Sequence, residues 1–455
     1  MSSTDKNNSM DVQSFIDNKP VGRYQWLILG LCFLVTAIDG LDTAAVGFIA
    51  PALRDDWGLT AGQLNPVLAA SLLGLMFGAF IGGPLADRFG RKTILLISVL
   101  LFGGWSLAAG FAQDVTSLTI MRFLTGLGLG GAMPQAITLT SEYCPQRRRS
   151  LMVTTMFCGF TLGSALGGVV AAQLVPNYGW RSVLILGGVL PLLCLPMLYL
   201  VLPESVRFLV QRSAPDFQVR AILQRISAQR LPEGQHYVIH DGVGESRSKQ
   251  SPVRQILSGS QRPGTLLLWI SFFMSLLIVY LLTSWLPILV RDTGLSLSQA
   301  AGVSAMFQIG GTVGAICLGA TMDRFNPYRV LACAYIIGAC FLMFIGQVYS
   351  DLSLLIIGVF GMGFCISGSL VGANALAAGF YPTSMRSTGV SWAQAVGRMG
   401  SVLGSMVGGW MMAMGMGFSG IFTVRMVPAL LASVGIFAMG LRYSRAPVQQ
   451  SVAVH

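Results

Sequence analysis

Charged residues are scarce in this sequence. Asp, Glu, Lys and Arg make up 10% of its 455 residues, against roughly 25% in ordinary soluble domains. That deficit excludes a water-soluble surface for a chain of this length. Histidine is scarcer still. His236, His240 and His455 all fall in polar stretches or the tail, so no imidazole is expected within an apolar run to carry protons. The eight cysteines include no CxxC pair, and Cys32, Cys158, Cys317 and Cys340 sit in apolar segments. They read as small core residues, not as disulfides or metal ligands. The apolar runs hold no histidine, metal cluster or nucleophile–base constellation, so an enzyme is not expected, nor a cofactor or metal.

What the sequence has in abundance is apolar length. Hydrophobic residues make up 53% of the chain. They gather in twelve runs of about 20, the length that carries a helix across a hydrocarbon core of roughly 30 Å. The fold class expected is therefore an all-α membrane protein with twelve transmembrane helices. A polar tail (1–23) containing Lys6, Asp11 and Asp17 shows no secretory cleavage site and is expected to stay. Six runs occupy 24–202, a polar loop covers 203–264, six more occupy 265–441, and a second tail covers 442–455. Part of the loop, 217–228, has the pattern of a surface amphipathic helix.

A net charge of +11 would suggest nucleic acid in a soluble protein, but its placement says otherwise. With the amino terminus inside the cell, the odd-numbered connections hold only Arg54, Arg181 and Arg291. Only Arg122, Arg398 and Arg425 fall within apolar runs. All other Lys and Arg, including Arg247, Lys249 and Arg254 of the central loop, lie in the tails and even-numbered connections. This is the positive-inside asymmetry of a multi-pass inner-membrane protein with both termini cytoplasmic. Membrane lipid, not nucleic acid, is the expected partner.

The two halves repeat each other at an offset of about 236 residues. GPLADRF at 83–89 meets GATMDRF at 319–325, and LGSALGG at 162–168 meets LGSMVGG at 403–409. Pro145, Arg149 and Ser150 likewise meet Pro382, Arg386 and Ser387. Parallel six-helix repeats imply two pseudo-symmetric bundles, a substrate site near the membrane midplane between them, and transport by rocking. Gly126, Gly128, Gly130 and Gly131 in span four, and Gly163, Gly167 and Gly168 in span five, are small residues that let helices approach closely.

An ionised side chain at the bilayer centre costs at least about 2.5–3.5 kcal/mol, so each one needs a partner or a watery cavity. Asp39 and Asp42, in TAIDGLDTAAVGFIAP, are three residues apart and share one face of span one. Two acids so close resist double ionisation, which raises the proton affinity of at least one, as proton coupling requires. The structural alternative is a local cap or break at Gly40. Arg122 in span four and Arg398 in span eleven each offer a planar fork for a carboxylate. Arg122 has the alternative of a permanent bridge to Asp39 or Asp42, and both roles fit successive stages of one cycle. Arg425 lies near the middle of span twelve, with the reach to snorkel to the interface. Glu142 directly precedes the triple arginine in SEYCPQRRRSL and is expected to form a gating ion pair. Tyr280, Trp285, Phe307 and Trp392 are candidates to stack on an aromatic ring, although interface anchoring explains any one of them equally well.

GPLADRFGRK, at 83–92, resembles the loop between spans two and three that marks the major facilitator superfamily, and DRFNPYR is a weaker second copy. The resemblance implies a cytoplasmic latch of Gly83, Asp87, Arg88 and Arg91, with Asp323 in the second copy, and with the aspartate of the loop capping span eleven. Topogenic charge is the plain alternative. PESVRFL, from Pro203, also resembles the superfamily's pattern and reads as a marker of lineage. A finer match is to the aromatic acid/proton symporters, through IDGLDTAAVGFIAPAL, RFLTGLGLGGAMP, SEYCPQRRRSL, VYLLTSWLP and FYPTSMRSTGVSW, which span nearly the whole chain.

That resemblance implies proton-driven import of hydroxylated aromatic carboxylates, of the 4-hydroxybenzoate and protocatechuate type, by a monomer using alternating access. Gallate, benzoate and vanillate are the alternative cargoes. Proton coupling is implied at Asp39 and Asp42, anion binding at Arg122 and Arg398, and gating at Asp87, Glu142 and Arg386. Tyr328 stands where the hydroxybenzoate pattern has a histidine, so the ring substituents stay open. Export is disfavoured because FTLGSALGGVV lacks the glycine–proline antiporter pattern. A chemoreceptor is disfavoured for want of a sizeable soluble signalling domain.

Overall fold

The computed structural model describes residues 9–227, 229–232, 235–238, 256–257, 261–348, 351–381 and 383–443, except for the side chains at 9, 150, 323, 378 and 383–388. His240, His455, Arg247, Lys249, Arg254 and Pro382 lie outside the described residues. Among those described, twelve long helices follow one another. They are α1 (Arg23–Trp57), α2 (Ala61–Phe89), α3 (Arg91–Ala109), α4 (Val115–Tyr143), α5 (Gln146–Tyr178), α6 (Arg181–Val201), α7 (Arg262–Asp292), α8 (Leu297–Arg324), α9 (Pro327–Val348), α10 (Leu352–Phe380), α11 (Thr383–Ala413) and α12 (Met426–Tyr443). A short helix, Phe418–Val424, precedes α12. Among the described residues, ten helices are long and apolar enough to cross a membrane. The other two, α4 and α11, are 29 and 31 residues long and carry Arg122 and Arg398. Large apolar side chains stand exposed along the spans, with Leu200 at 76% and Leu193 at 70%. Hydrocarbon, where a helix satisfies its own backbone, is the solvent that suits such a surface.

The chain divides into two compact units, residues 1–53 with 66–246, and residues 54–65 with 247–455. Their internal packing follows the sequence repeat. In the first unit α1 lies on α5, where a Cβ on Gly163 would overlap the Ala37 carbonyl oxygen. There too α2 lies on α4, where a Cβ on Gly126 would overlap that of Ser71. In the second unit α7 packs on α11 through Gly404 against Leu277, and α8 on α10 through Gly363 against Phe307. Backbones this close exclude any larger residue, so these glycines fix the helix crossings.

The segment before α1 and the loop after α6 fold together. Ser9–Asp11 pairs in parallel with His236–Val238, with Met10 opposite Tyr237. The helix Asp216–Ser227 appears where the amphipathic pattern placed one. Its Val219, Leu223 and Ile226 are buried in one cluster with Val12 and Ile16, so the apolar face is used within the protein. Asp17 accepts the Gln146 N–H at 2.8 Å, serving the first turn of α5, whose N-cap, Pro145, makes no side-chain bond.

Candidate functional site

Five helices of the first unit converge on one ion pair. Asp42 on α1 and Arg122 on α4 have fully buried side chains. Nη1 of Arg122 donates to Asp42 Oδ1 at 3.2 Å. Nη2 lies 3.0 Å from Oδ2 and donates to the Asp42 backbone oxygen at 3.2 Å. Ser106 on α3 donates to Asp42 Oδ1 at 2.6 Å, and Ser71 on α2 accepts from Arg122 Nη2 at 3.4 Å. On α6, a Cβ at Gly187 would stand 3.2 Å from Asp42 Oδ1 and 3.3 Å from Ser106 Oγ. A carboxylate taken out of water needs its charge answered; here the guanidinium and the Ser106 hydroxyl both bond Oδ1, while Oδ2 has the ion-pair contact at 3.0 Å and no hydrogen bond among the described residues. Asp39 is also buried, and its Oδ1 accepts the Thr43 hydroxyl at 3.1 Å. Of the two acids the sequence put on one face, Asp42 is the partner of Arg122. Ser71, Ser106 and Gly187 carry no motif that singles them out.

In the second unit the candidates have different surroundings. Arg398 is half-buried on α11, one turn from Gln394, whose side chain donates to Asn374 on α10 at 3.0 Å. Tyr280 is half-buried on α7. Trp285 is wholly buried, with its indole N–H on the Ser405 carbonyl at 2.6 Å and its ring where a Cβ on Gly408 would stand. Phe307 is wholly buried beside Gly363. Trp392 is 41% exposed and stacks on Trp269 with centroids 5.9 Å apart. Arg425 is 2% exposed, so it does not snorkel.

The residues expected as a latch meet the PESVRFL segment, which the sequence offers only as a lineage marker. Asp87 and Arg91 pair at 2.9 Å across one turn. Between them Gly90 takes φ 101°, a conformation that favours glycine, and leaves α3 without a side-chain cap. Glu204, of PESVRFL, fills that role by accepting the Lys92 N–H at 3.1 Å. Arg91 stacks over Phe208 at 5.4 Å, and Arg212 donates to the Arg88 carbonyl at 2.7 Å. Glu142 accepts the Ser205 hydroxyl, and the neighbouring Tyr143 hydroxyl donates to the Glu204 carbonyl at 2.5 Å. A Cβ on Gly83 would meet no described atom within 4 Å. The side chains of Asp323 and Arg386 lie outside the described residues.

Comparison with known proteins gives consistent findings. The model described as Major Facilitator Superfamily matches residues 32–330 and again 268–453. The 4-hydroxybenzoate transporter PcaK of Pseudomonas putida is 48% identical over 95% of this chain and 96% of its own. The gallate transporter of the same organism is 48% identical over 95% of each. Among solved structures, the inward-open xylose transporter XylE from E. coli superposes with a TM-score of 0.70 at 18% identity, over 91% of this chain and 96% of that one.

Proposed function

The chain belongs to the major facilitator superfamily, and from that membership and the buried Asp42–Arg122 pair we propose a secondary active transporter that imports aromatic carboxylates by proton symport with alternating access. The observation that carries the reading is the pair itself. Arg122 has one fork, and Asp42 and a substrate carboxylate compete for it. When Asp42 takes a proton, its claim on the guanidinium falls and the fork is free for the incoming anion. The empty carrier, with Asp42 on Arg122, and the loaded carrier, with neutral Asp42 and the substrate on Arg122, then hold the same net charge. A carrier with only the proton or only the anion holds an unmatched charge, which is costly to enclose in the membrane. Asp39, also buried, is the second proton-carrying candidate, and Arg398 with Gln394 forms the polar face of α11.

The substrate class comes from the relatives, whose names specify 4-hydroxybenzoate and gallate. Both are flat rings with one carboxylate, the group a guanidinium binds in its plane. Protocatechuate shares the same carboxylate and ring. Gallate is the second substrate reading, supported by a relative of equal identity. The distribution of Lys and Arg supports a bacterial inner-membrane location with both termini cytoplasmic, and the proposed working unit is a monomer. The test is uptake of labelled 4-hydroxybenzoate and gallate into vesicles under an imposed pH gradient, acid outside. Accumulation is expected with the gradient and equilibration without it. Concentrative uptake that persists after the proton gradient is collapsed overturns the symport claim.

A further inference from the structure

The last membrane helix of the second unit is broken at a charged residue. The short helix Phe418–Val424 ends, Arg425 occupies the turn, and α12 starts at Met426 and runs 18 residues. Pro428 accounts for the break: it has no N–H for the Val424 carbonyl, and its ring crowds that oxygen. A new helix start carries N–H groups without intrahelical acceptors, and the positive end of its dipole.

Arg425 stands at that start, 2% exposed. Nε, Nη1 and Nη2 all lack a hydrogen-bond partner among the described residues. Its guanidinium carbon is 4.7 Å from the Phe422 ring centre. Phe422 precedes the break, so the guanidinium leans off the N-terminal end of α12, the side toward which helix N–H groups point. The ring covers one face, and the unfilled bonds radiate in the guanidinium plane.

Among the described residues no acid hydrogen-bonds Arg425. Between 247 and 455 the only acids are Asp292, Asp323 and Asp351. Asp292 holds Arg54 at 2.5 and 3.1 Å. Asp351 caps α10, accepting the Ser353 and Leu354 N–H groups. Asp323 lies at the opposite end of α9 from Gly346, which faces Ser419 and Phe422. A helix of 22 residues, roughly 30 Å, separates it from the break.

We infer that Arg425, with the first N–H groups of α12, is a binding site for one oxyanion, a carboxylate or a phosphate, on helices other than those of the Asp42–Arg122 pair. Two sources supply that chemistry: the carboxylate of a transported aromatic acid and the phosphate of an anionic lipid headgroup. Val424 and Val427, on either side of the break, are 46% and 56% exposed, so movement at the break opens the site toward the exposed face of the helix.

The test uses the purified full chain in nanodiscs and compares wild type with Arg425→Met, which keeps volume and removes charge. One arm counts labelled 4-hydroxybenzoate at saturation in phosphatidylcholine alone. The other counts phosphatidylglycerol molecules retained per chain by native mass spectrometry. Loss of one bound carboxylate in the variant supports the site with substrate as its ligand, and loss of one phosphatidylglycerol supports it with lipid. Unchanged counts in both arms overturn the inference. If Arg425→Met does not fold, Arg425→Lys is read in the same arms. It keeps the charge without the fork, so affinity about tenfold weaker is expected, and unchanged affinity overturns the inference.

Discussion

Asp42→Asn leaves Arg122 buried with its charge unanswered, and the structure sets the size of the consequence. Both side chains are fully buried, and removing one partner of such a pair costs about 3–5 kcal/mol. The two halves of the pair are not equivalent. Arginine keeps its proton in proteins, so after Asp42→Asn the guanidinium stays charged, with the new side-chain amide oxygen, the backbone oxygen of the same residue and Ser71 as its acceptors. After Arg122→Met the orphaned carboxylate escapes by taking a proton, while Ser106 still donates to it. Arg122→Met is therefore expected to cost less than Asp42→Asn. The double variant, with no charge at either position, is expected to cost less than Asp42→Asn alone. The assay is the unfolding midpoint of purified protein in one detergent at one pH, for wild type, both single variants and the double. Additive losses, with a coupling under about 0.5 kcal/mol, would refute the pairing and with it the proposed competition for one fork.

Three further outcomes follow from the same geometry. Gly187→Val places a branched side chain against Asp42 Oδ1 and Ser106 Oγ, 3.2 and 3.3 Å from the Cβ position; it is expected to destabilise by about 1–3 kcal/mol and to abolish concentrative uptake, whereas Gly187→Ala retains part of it. Glu204→Ala removes the acceptor of the Lys92 N–H and is expected to lower stability by about 1 kcal/mol, read as a lower melting midpoint, while substrate affinity is unchanged. Trp285→Phe removes the indole donor to the buried Ser405 carbonyl, at a cost of about 0.5–1.5 kcal/mol; an unchanged KM with the lowered stability would assign the ring to helix packing and not to substrate stacking.

The twelve helices were legible because apolar run length is a local property, and the glycines of spans four and five marked close helix approach without saying which helix each one meets. The pairing inside the site was not legible. Spacing put Asp39 and Asp42 on one face of a helix and could go no further, since which of them meets Arg122 depends on the rotation of α4 against α1, set by contacts 80 residues apart in sequence. Ser106 and Ser71 are small hydroxyls without a pattern, and their role exists only once α2 and α3 are in place. Charge scarcity did mark Arg122 correctly as a residue in need of a partner, because the penalty for a buried guanidinium does not depend on the fold. The same rule marked Arg425, which is 2% exposed at the break ahead of α12.

The internal repeat extends to the helix ends as well. Arg54 and Asp55 at the end of α1 recur as Arg291 and Asp292 at the end of α7, at the repeat offset. All four belong to the second unit. They pair crosswise: Arg54 holds Asp292 in a two-pronged contact at 2.5 and 3.1 Å, and Arg291 lies 4.0 Å from Asp55. Duplication explains why the pairs are reciprocal, since two copies of one dipeptide present each arginine with the other copy's acid. Their side chains are 22% to 54% exposed, so water screens the pairs and each contributes only about 0–1 kcal/mol. The same chemical pair, Arg with Asp, thus occurs twice with opposite consequences: weak and easily broken where water reaches it, and costly to break by removing one partner at Asp42 and Arg122, where neither side chain reaches water.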